Sequence, residues 1–450
     1  MTETNHDATT QTATQRKGAH SGTVGVALLG FGTVGAEVYR LLNEHADAFE
    51  QRIGGRAEIR GIAVHNKNKL RPGVPQELLT DDAKSLVLRE DIDLVVEVIG
   101  GIDYPRELVL SALNAGKSVV TANKALVAAH ADELAEAADR AEVDLYFEAA
   151  VAAAIPVVGM LRRSLAGDQI QRISGIVNGT TNFILDAMES TGASYDEALA
   201  EATRLGYAEA DPTADVEGHD AASKAAILAS LGFYTRVTFD DVYCEGISKI
   251  TADDISAANQ AGYSIKLLAI CERLVDEATG QESVSARVHP TLVPKEHPLA
   301  SVSQSYNAIF VEAEAAGSLM FYGNGAGGNP TASAVLGDLV GAARNIVHGG
   351  RAPGENTYAN LPIAPFGEVT TRYHVDMEVE DRTGVLAAIS GVFAGHDVSL
   401  RTVRQEERGD TARLIVVTHS AKESELEKIV AELGQLEEVK AVHSVIRLGA

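Results

Sequence analysis

Val24–Gly35 reads VGVALLGFGTVG, an apolar run that breaks into Gly30, Gly32 and Gly35 and continues as AEVYRLL with helical spacing. A strand before and a helix after is the setting that a dinucleotide-binding fingerprint requires. In such a turn Gly30 permits the reversal, Gly32 lets the backbone approach a pyrophosphate, and Gly35 lets helix and strand pack closely. The anion rests on the helix N-terminus, where N–H groups lack intrahelical partners. Gly30, Phe31, Gly32, Thr33, Val34 and Gly35 are therefore candidate cofactor contacts.

The alternation of strand and helix continues outward from this turn. A second strand, Glu58–Val64, runs into His65-Asn66-Lys67-Asn68-Lys69-Leu70-Arg71. An acid commonly ends this strand and binds the ribose 2′-hydroxyl of NAD. Here bases follow instead, and they suit a 2′-phosphate, so NADP(H) is expected over NAD(H), with Lys67 as a contact. A solvated basic loop would have the same composition. Further strands read DLVVEVI (93–99), KSVVTA (117–122) and VDLYFEAA (143–150), separated by helical segments. This order predicts a Rossmann-type, doubly wound parallel sheet over 23–150. Ligands of such sheets lie beyond the strand C-termini, which is where Gly100, Asn123, Lys124 and Glu148 fall. A second glycine-rich loop, Gly323–Pro330, opens the apolar helix TASAVLGDLVGAARNIV. It reads as another backbone approach to the cofactor, so 323–350 is expected to complete the domain.

Composition narrows the partners. The chain has 450 residues, enough for several domains. Its 63 acidic against 38 basic residues give a net charge of -25, which disfavours nucleic acid and anionic membrane as partners. Cys244 and Cys271 have neither metal nor redox spacing, as suits a reducing cytoplasm. The polar, Thr-rich residues 1–22 lack the apolar core of a signal peptide and read as a disordered tail.

Residues 206–224, GYAEADPTADVEGHDAASK, concentrate Glu209, Asp211, Asp215, Glu217, Asp220 and Lys224. Asp220 and Lys224 stand four apart and share one face of a helix. A surface ion pair would use the same spacing. The apolar AILASLGF directly after the lysine argues for burial, where a charge is costly unless it is paired. The surrounding region, 151–322, alternates as antiparallel strands do and reads as an α+β substrate-binding domain. A Gly/Pro-rich linker, 351–371, precedes a last unit, 372–450, whose βαββαβ order is ferredoxin-like. None of its residues looks catalytic, which points to binding or association.

The motifs GFGTVG, TANKALVA, NGTTNFIL and the 202–224 segment together resemble homoserine dehydrogenases of the monofunctional, ACT-domain-bearing type. The likeness covers nearly everything after the tail, and the stretch ahead of the fingerprint is too short for an aspartate kinase domain. The resemblance implies NAD(P)-dependent interconversion of L-homoserine and L-aspartate 4-semialdehyde, a step toward threonine, isoleucine and methionine. It assigns Lys224 as catalytic acid/base, Lys124 to the nicotinamide and substrate, Glu209 and Asp220 to substrate binding, and Gly206 and Gly327 to further cofactor contacts. In FEAAVAAAIP it places a monovalent cation, often sodium, on Glu148, Val151, Ala153 and Ile155, mostly through backbone carbonyls. It also implies an amino-acid effector, threonine, near Asp381–Leu386 of the ACT unit, and a cytoplasmic homodimer or homotetramer. The alternatives are another dehydrogenase of small polar substrates and a non-catalytic NADP- and amino-acid-sensing protein. Against the second stand Lys124 and Lys224, which a sensor would not need.

Overall fold

The computed structural model describes residues 22–276, 278–354, 357–409 and 411–449. The tail read over 1–22 lies outside the described residues, apart from Gly22. Six parallel strands make the first sheet: β1 (Thr23–Leu29), β2 (Arg56–Ala63), β3 (Leu79–Thr80), β4 (Leu94–Glu97), β5 (Ser118–Thr121) and β6 (Leu145–Tyr146). Their order is β3-β2-β1-β4-β5-β6. The direction of winding reverses between β1 and β4, and the crevice outside those strand ends is where such sheets bind ligands.

β1 and β4 are buried on both faces because helices cover both sides of the sheet. One cover is the helix Gly328–His348, far off in sequence. Its Ala332, Val335, Leu336 and Leu339 recur every three or four residues and join the cluster of Val24, Val26 and Leu28 from β1. The strand expected over 143–150 stops at Tyr146. Glu148–Ala150 is a 3₁₀ turn, and Ala152 and Ala153 follow at φ of 54° and 42°, turning the chain into the next region.

The second sheet contains β7 (Ile170–Ile176), β8 (Tyr243–Cys244), β9 (Tyr263–Val275), β10 (Glu282–Pro294), β11 (Tyr306–Ala313) and β12 (Gly317–Asn324). The helix His219–Phe233 lies on it. Apolar nearly all round, as a fully buried helix must be, it packs Ala225, Leu228 and Ala229 into one core with Ile173, Leu267 and Val288. The C-terminal unit supplies β14 (Tyr373–Glu380), β15 (Leu400–Arg408), β16 (Thr411–Thr418) and β18 (Val439–Leu448), while β13 (Thr370–Thr371) and β17 (Ala421–Lys422) pair beside them. Its order β18-β14-β16-β15 is that of a ferredoxin-like sheet, with Val375, Met377, Phe393, Leu414 and Leu426 in its own core.

The expected linker does not hold this unit apart. Val284 donates to Pro362 O at 2.9 Å and Ala364 donates to Val284 O at 2.8 Å. β18 then pairs with β10 through Thr291↔Arg447 and Leu292↔Leu448, so the main path of the sheet runs from β12 to β15 without a break. A bare β10 edge would leave N–H and C=O groups unpaired, and the last strand covers part of it.

Candidate active site

A cleft of about 760 Å³ opens where the two sheets meet. On one side Val34 brings the β1 turn to the cleft, and the other residues of the turn lie behind it. Gly30 sits at φ 102°, and a Cβ there would fall 2.9 Å from Val98 O, while a Cβ on Gly35 would strike Gly30 O at 2.3 Å. A Cβ on Gly32 would meet nothing within 4 Å, leaving open space for a ligand. Val34, Gly100, Gly206 and Gly327 line the cleft with Asn324 and Gly325. Gly328 begins a helix whose first turn abuts Thr33, so two helix N-termini lie side by side here.

The basic loop after β2 is exposed. Lys67 pairs with Asp81 at 2.8 Å, and Arg71 donates to Lys69 O at 2.8 Å with its guanidinium 6.0 Å from the centre of the Phe31 ring. That contact brings the loop to the edge of the glycine turn.

The other wall carries the charges. Asn123 caps the helix Lys124–Ala141 by accepting from Leu126 N at 3.1 Å, which places Lys124 at the helix start beside the cleft. Lys124 donates to Asp220 Oδ1. Lys224 donates to Asp220 Oδ2 at 2.7 Å and to Val177 O at 2.6 Å. Asp220 and Lys224 are both buried. Burial works to raise the Asp220 pKa, but the Lys224 and Lys124 ammoniums outweigh it and hold the carboxyl well below its ordinary range. An ammonium has three donors, so Lys224 keeps one for a ligand in the cleft. Glu209 also lines the cleft, and it is exposed.

Asn178 is the residue that sequence reasoning passed over. It caps the helix Gly179–Thr191 through Thr181 N, and its side-chain amide donates to Asp215 at 2.7 Å and to Asp220 at 2.9 Å. An Asn directly before Gly-Thr-Thr is a cap signal, legible as such. Its reach to two carboxylates is not.

Glu148, Val151, Ala153 and Ile155 lie together on the turn between the two regions. Both Glu148 carboxylate oxygens accept backbone N–H groups, from Val158 at 2.8 Å and Gly159 at 2.7 Å. Glu148 N donates in turn to Asp338 at 2.7 Å. Among the described residues no cluster of three or more His, Cys, Asp or Glu side chains forms a metal site. No described helix is long and apolar enough to cross a membrane.

Comparison with known proteins gives three family matches. Residues 156–340 match the family described as homoserine dehydrogenase, 30–148 match homoserine dehydrogenase, NAD binding domain, and 373–438 match the ACT domain. The chain is 73% identical over 425 residues to a homoserine dehydrogenase of Corynebacterium glutamicum, covering 94% of this chain and 95% of that one. It is 58% identical to the Mycobacterium tuberculosis homoserine dehydrogenase over 431 residues, covering 94% and 97%. Among solved structures it resembles a Thiobacillus denitrificans homoserine dehydrogenase with a TM-score of 0.88 at 39% identity, covering 95% and 98%. A hyperthermophilic archaeal homoserine dehydrogenase in complex with NADPH matches with a TM-score of 0.62 at 28% identity, covering 74% and 100%.

Proposed function

The chain belongs to the homoserine dehydrogenase family, an NAD(P)-dependent oxidoreductase that interconverts L-aspartate 4-semialdehyde and L-homoserine, and from that premise we propose how its residues divide the work. The observation that carries the reading is the Lys124–Asp220–Lys224 triad, the buried Asp220–Lys224 pair joined by the more exposed Lys124, on the cleft opposite the glycine turn. Bound cofactor supplies the hydride. Everything else falls to the chain.

Reduction of an aldehyde leaves an alkoxide that needs a proton. Lys224, with one donor free of Val177 and Asp220, delivers it, and Lys124 orients the carbonyl from the end of β5. Asp220 holds both ammoniums in place. A carboxylate offers about four acceptor positions, so one remains on Asp220 for the substrate ammonium, which Glu209 faces from the cleft rim. Gly30, Phe31, Gly32, Thr33, Val34 and Gly35 seat the pyrophosphate, with Gly100, Gly206 and Gly327 around it.

NADP(H) is the preferred cofactor. Support comes from the missing acid after β2, from Arg71 beside Phe31, and from Lys67 and Lys69 in the same exposed loop. A monovalent cation fits the turn at Glu148. Its ligands would all be oxygens, from that carboxylate and the carbonyls of Val151, Ala153 and Ile155, and Ala152 and Ala153 in left-handed conformation turn that backbone sharply. The ACT unit takes an amino-acid effector, threonine, between units of neighbouring subunits. The Asp381–Gly384 loop is exposed, as are Leu386 and Val403 near it, which favours association there.

The test is oxidation of NADPH and NADH by the purified chain with aspartate semialdehyde, with and without threonine. Turnover faster with NADPH and slowed by threonine is expected. Tight NADPH binding without turnover would support the sensing protein instead.

A further inference from the structure

Away from the active site, a second cavity of about 130 Å³ lies where the C-terminal unit meets the catalytic sheet. Arg172 on β7 and Arg287 and His289 on β10 form one wall, and Thr370, Arg372 and Ser420 of the C-terminal unit form the other. Three arginines thus line a space of roughly four water volumes, in a chain whose net charge is -25. Glu272 is the one carboxylate on the lining, and it accepts from Arg287 at 2.8 Å. Arg172 approaches Glu312 at 4.0 Å, too far for a hydrogen bond.

Two guanidinium donors here have nothing to bind. Among the described residues, Nε of Arg172 and Nε of Arg287 are buried without a hydrogen-bond partner, while the His289 ring donates from Nδ1 to Pro290 O. Arg287 and His289 are only 3% and 1% exposed. Burial pushes the His289 pKa well down, and Arg447, Arg287 and Arg172 around it add to the effect. Desolvated, mutually repelling cations with unused donors destabilise a fold unless an anion joins them.

We propose that this cavity binds a small oxyanion, a carboxylate or a phosphate-class group, held by Arg172 and Arg372 from opposite walls with Thr370 and Ser420 as hydroxyl donors. Such a ligand ties the C-terminal unit to the catalytic sheet. Its reach extends further, because Arg287 lies in register with Tyr243 of β8, and the neighbouring Cys244 donates to Glu217 O at 3.2 Å, just before the Asp220 helix. The site is separate from the exposed Asp381–Gly384 loop and does not depend on what binds there.

The test uses the full chain with saturating NADP⁺, so that the nucleotide site is filled. Melting temperature is followed against inorganic phosphate, and separately against threonine, with chloride matching the ionic strength throughout. At least one of the two anions should raise it beyond chloride, with the half-maximal concentration at least about 10-fold higher in Arg372→Gln or Arg172→Gln, the loss of one charged hydrogen bond. A phosphate response lost in these variants identifies a tetrahedral anion, and a threonine response lost in them identifies an amino-acid carboxylate. No rise above chloride with either anion overturns the proposal. So does a rise that is unchanged in whichever variant folds.

Discussion

Arg447 and Glu245 stand 202 residues apart in the chain and meet at 2.5 Å. The same guanidinium donates to the fully buried Glu423 at 3.0 Å and lies 5.1 Å from the centre of the Phe366 ring, which stacks on Tyr243 at 3.6 Å. One side chain thereby joins the core of the C-terminal unit to the segment after the catalytic helix. Arg447→Met should destabilise the chain by about 3–5 kcal/mol, because it strands a buried carboxylate. Urea unfolding followed by circular dichroism measures this, and a loss below about 1 kcal/mol would show that the Thr371 and Tyr373 hydroxyls suffice to hold Glu423.

Lys224→Ala should lower kcat by at least about 100-fold, the scale of a lost general acid, with cofactor affinity nearly unchanged. Cofactor binding is checked by fluorescence titration alongside the rate. Near-normal turnover would remove Lys224 from the chemistry.

Replacing Lys67 and Lys69 with Glu should shift the ratio of kcat/KM for NADPH over NADH by at least about 10-fold toward NADH, since the 2′-phosphate would meet like charge. Both lysines are exposed, so the fold should survive. An unchanged ratio would make the cluster a solvated loop, its pairing with Asp81 the whole of its role.

Burial pushes Asp338 up to about 8, despite the N–H it accepts from Glu148. A carboxyl raised in this way stays protonated in the fold while the unfolded chain has released its proton. The folded state then binds more protons, so stability falls as pH climbs from about 4 to about 8, by roughly 1 kcal/mol per unit. Asp338→Asn keeps the acceptor for Glu148 and removes the titration. Its melting temperature should therefore gain on the parent across that window, and parallel profiles would contradict the assignment.

The parts of this protein that local spacing encodes were legible before any fold was known. GFGTVG between strand and helix announces a glycine turn because no other residue leaves such space at Gly30 and Gly35. The βαββαβ order of the last unit follows from the alternation of periods two and 3.6 along 373–448. Asp220 and Lys224 could be paired because four residues make one helical turn. Family likeness, carried by the same stretches, added the reaction. It also nominated Gly206, whose spacing alone marks nothing, and singled out Gly327 within the glycine-rich loop already read as a cofactor approach.

Tertiary structure decided what depends on distant backbone. Lys124 reaches Asp220 across 96 residues and Asn178 does so across 42, and no local rule relates those positions. The Gly/Pro-rich stretch after 350 looked like a separator because its composition matches that of free linkers, yet the edge of β10 needed hydrogen bonds and drew it in. Glu148 stood out only as an acid at a strand end, and the chain's reversal there, giving its carboxylate to Val158 and Gly159, is set by packing against Asp338. The arginine-lined cavity is the extreme case. Arg172, Arg287 and Arg372 are ordinary bases in the sequence, and only the joining of two sheets makes them neighbours.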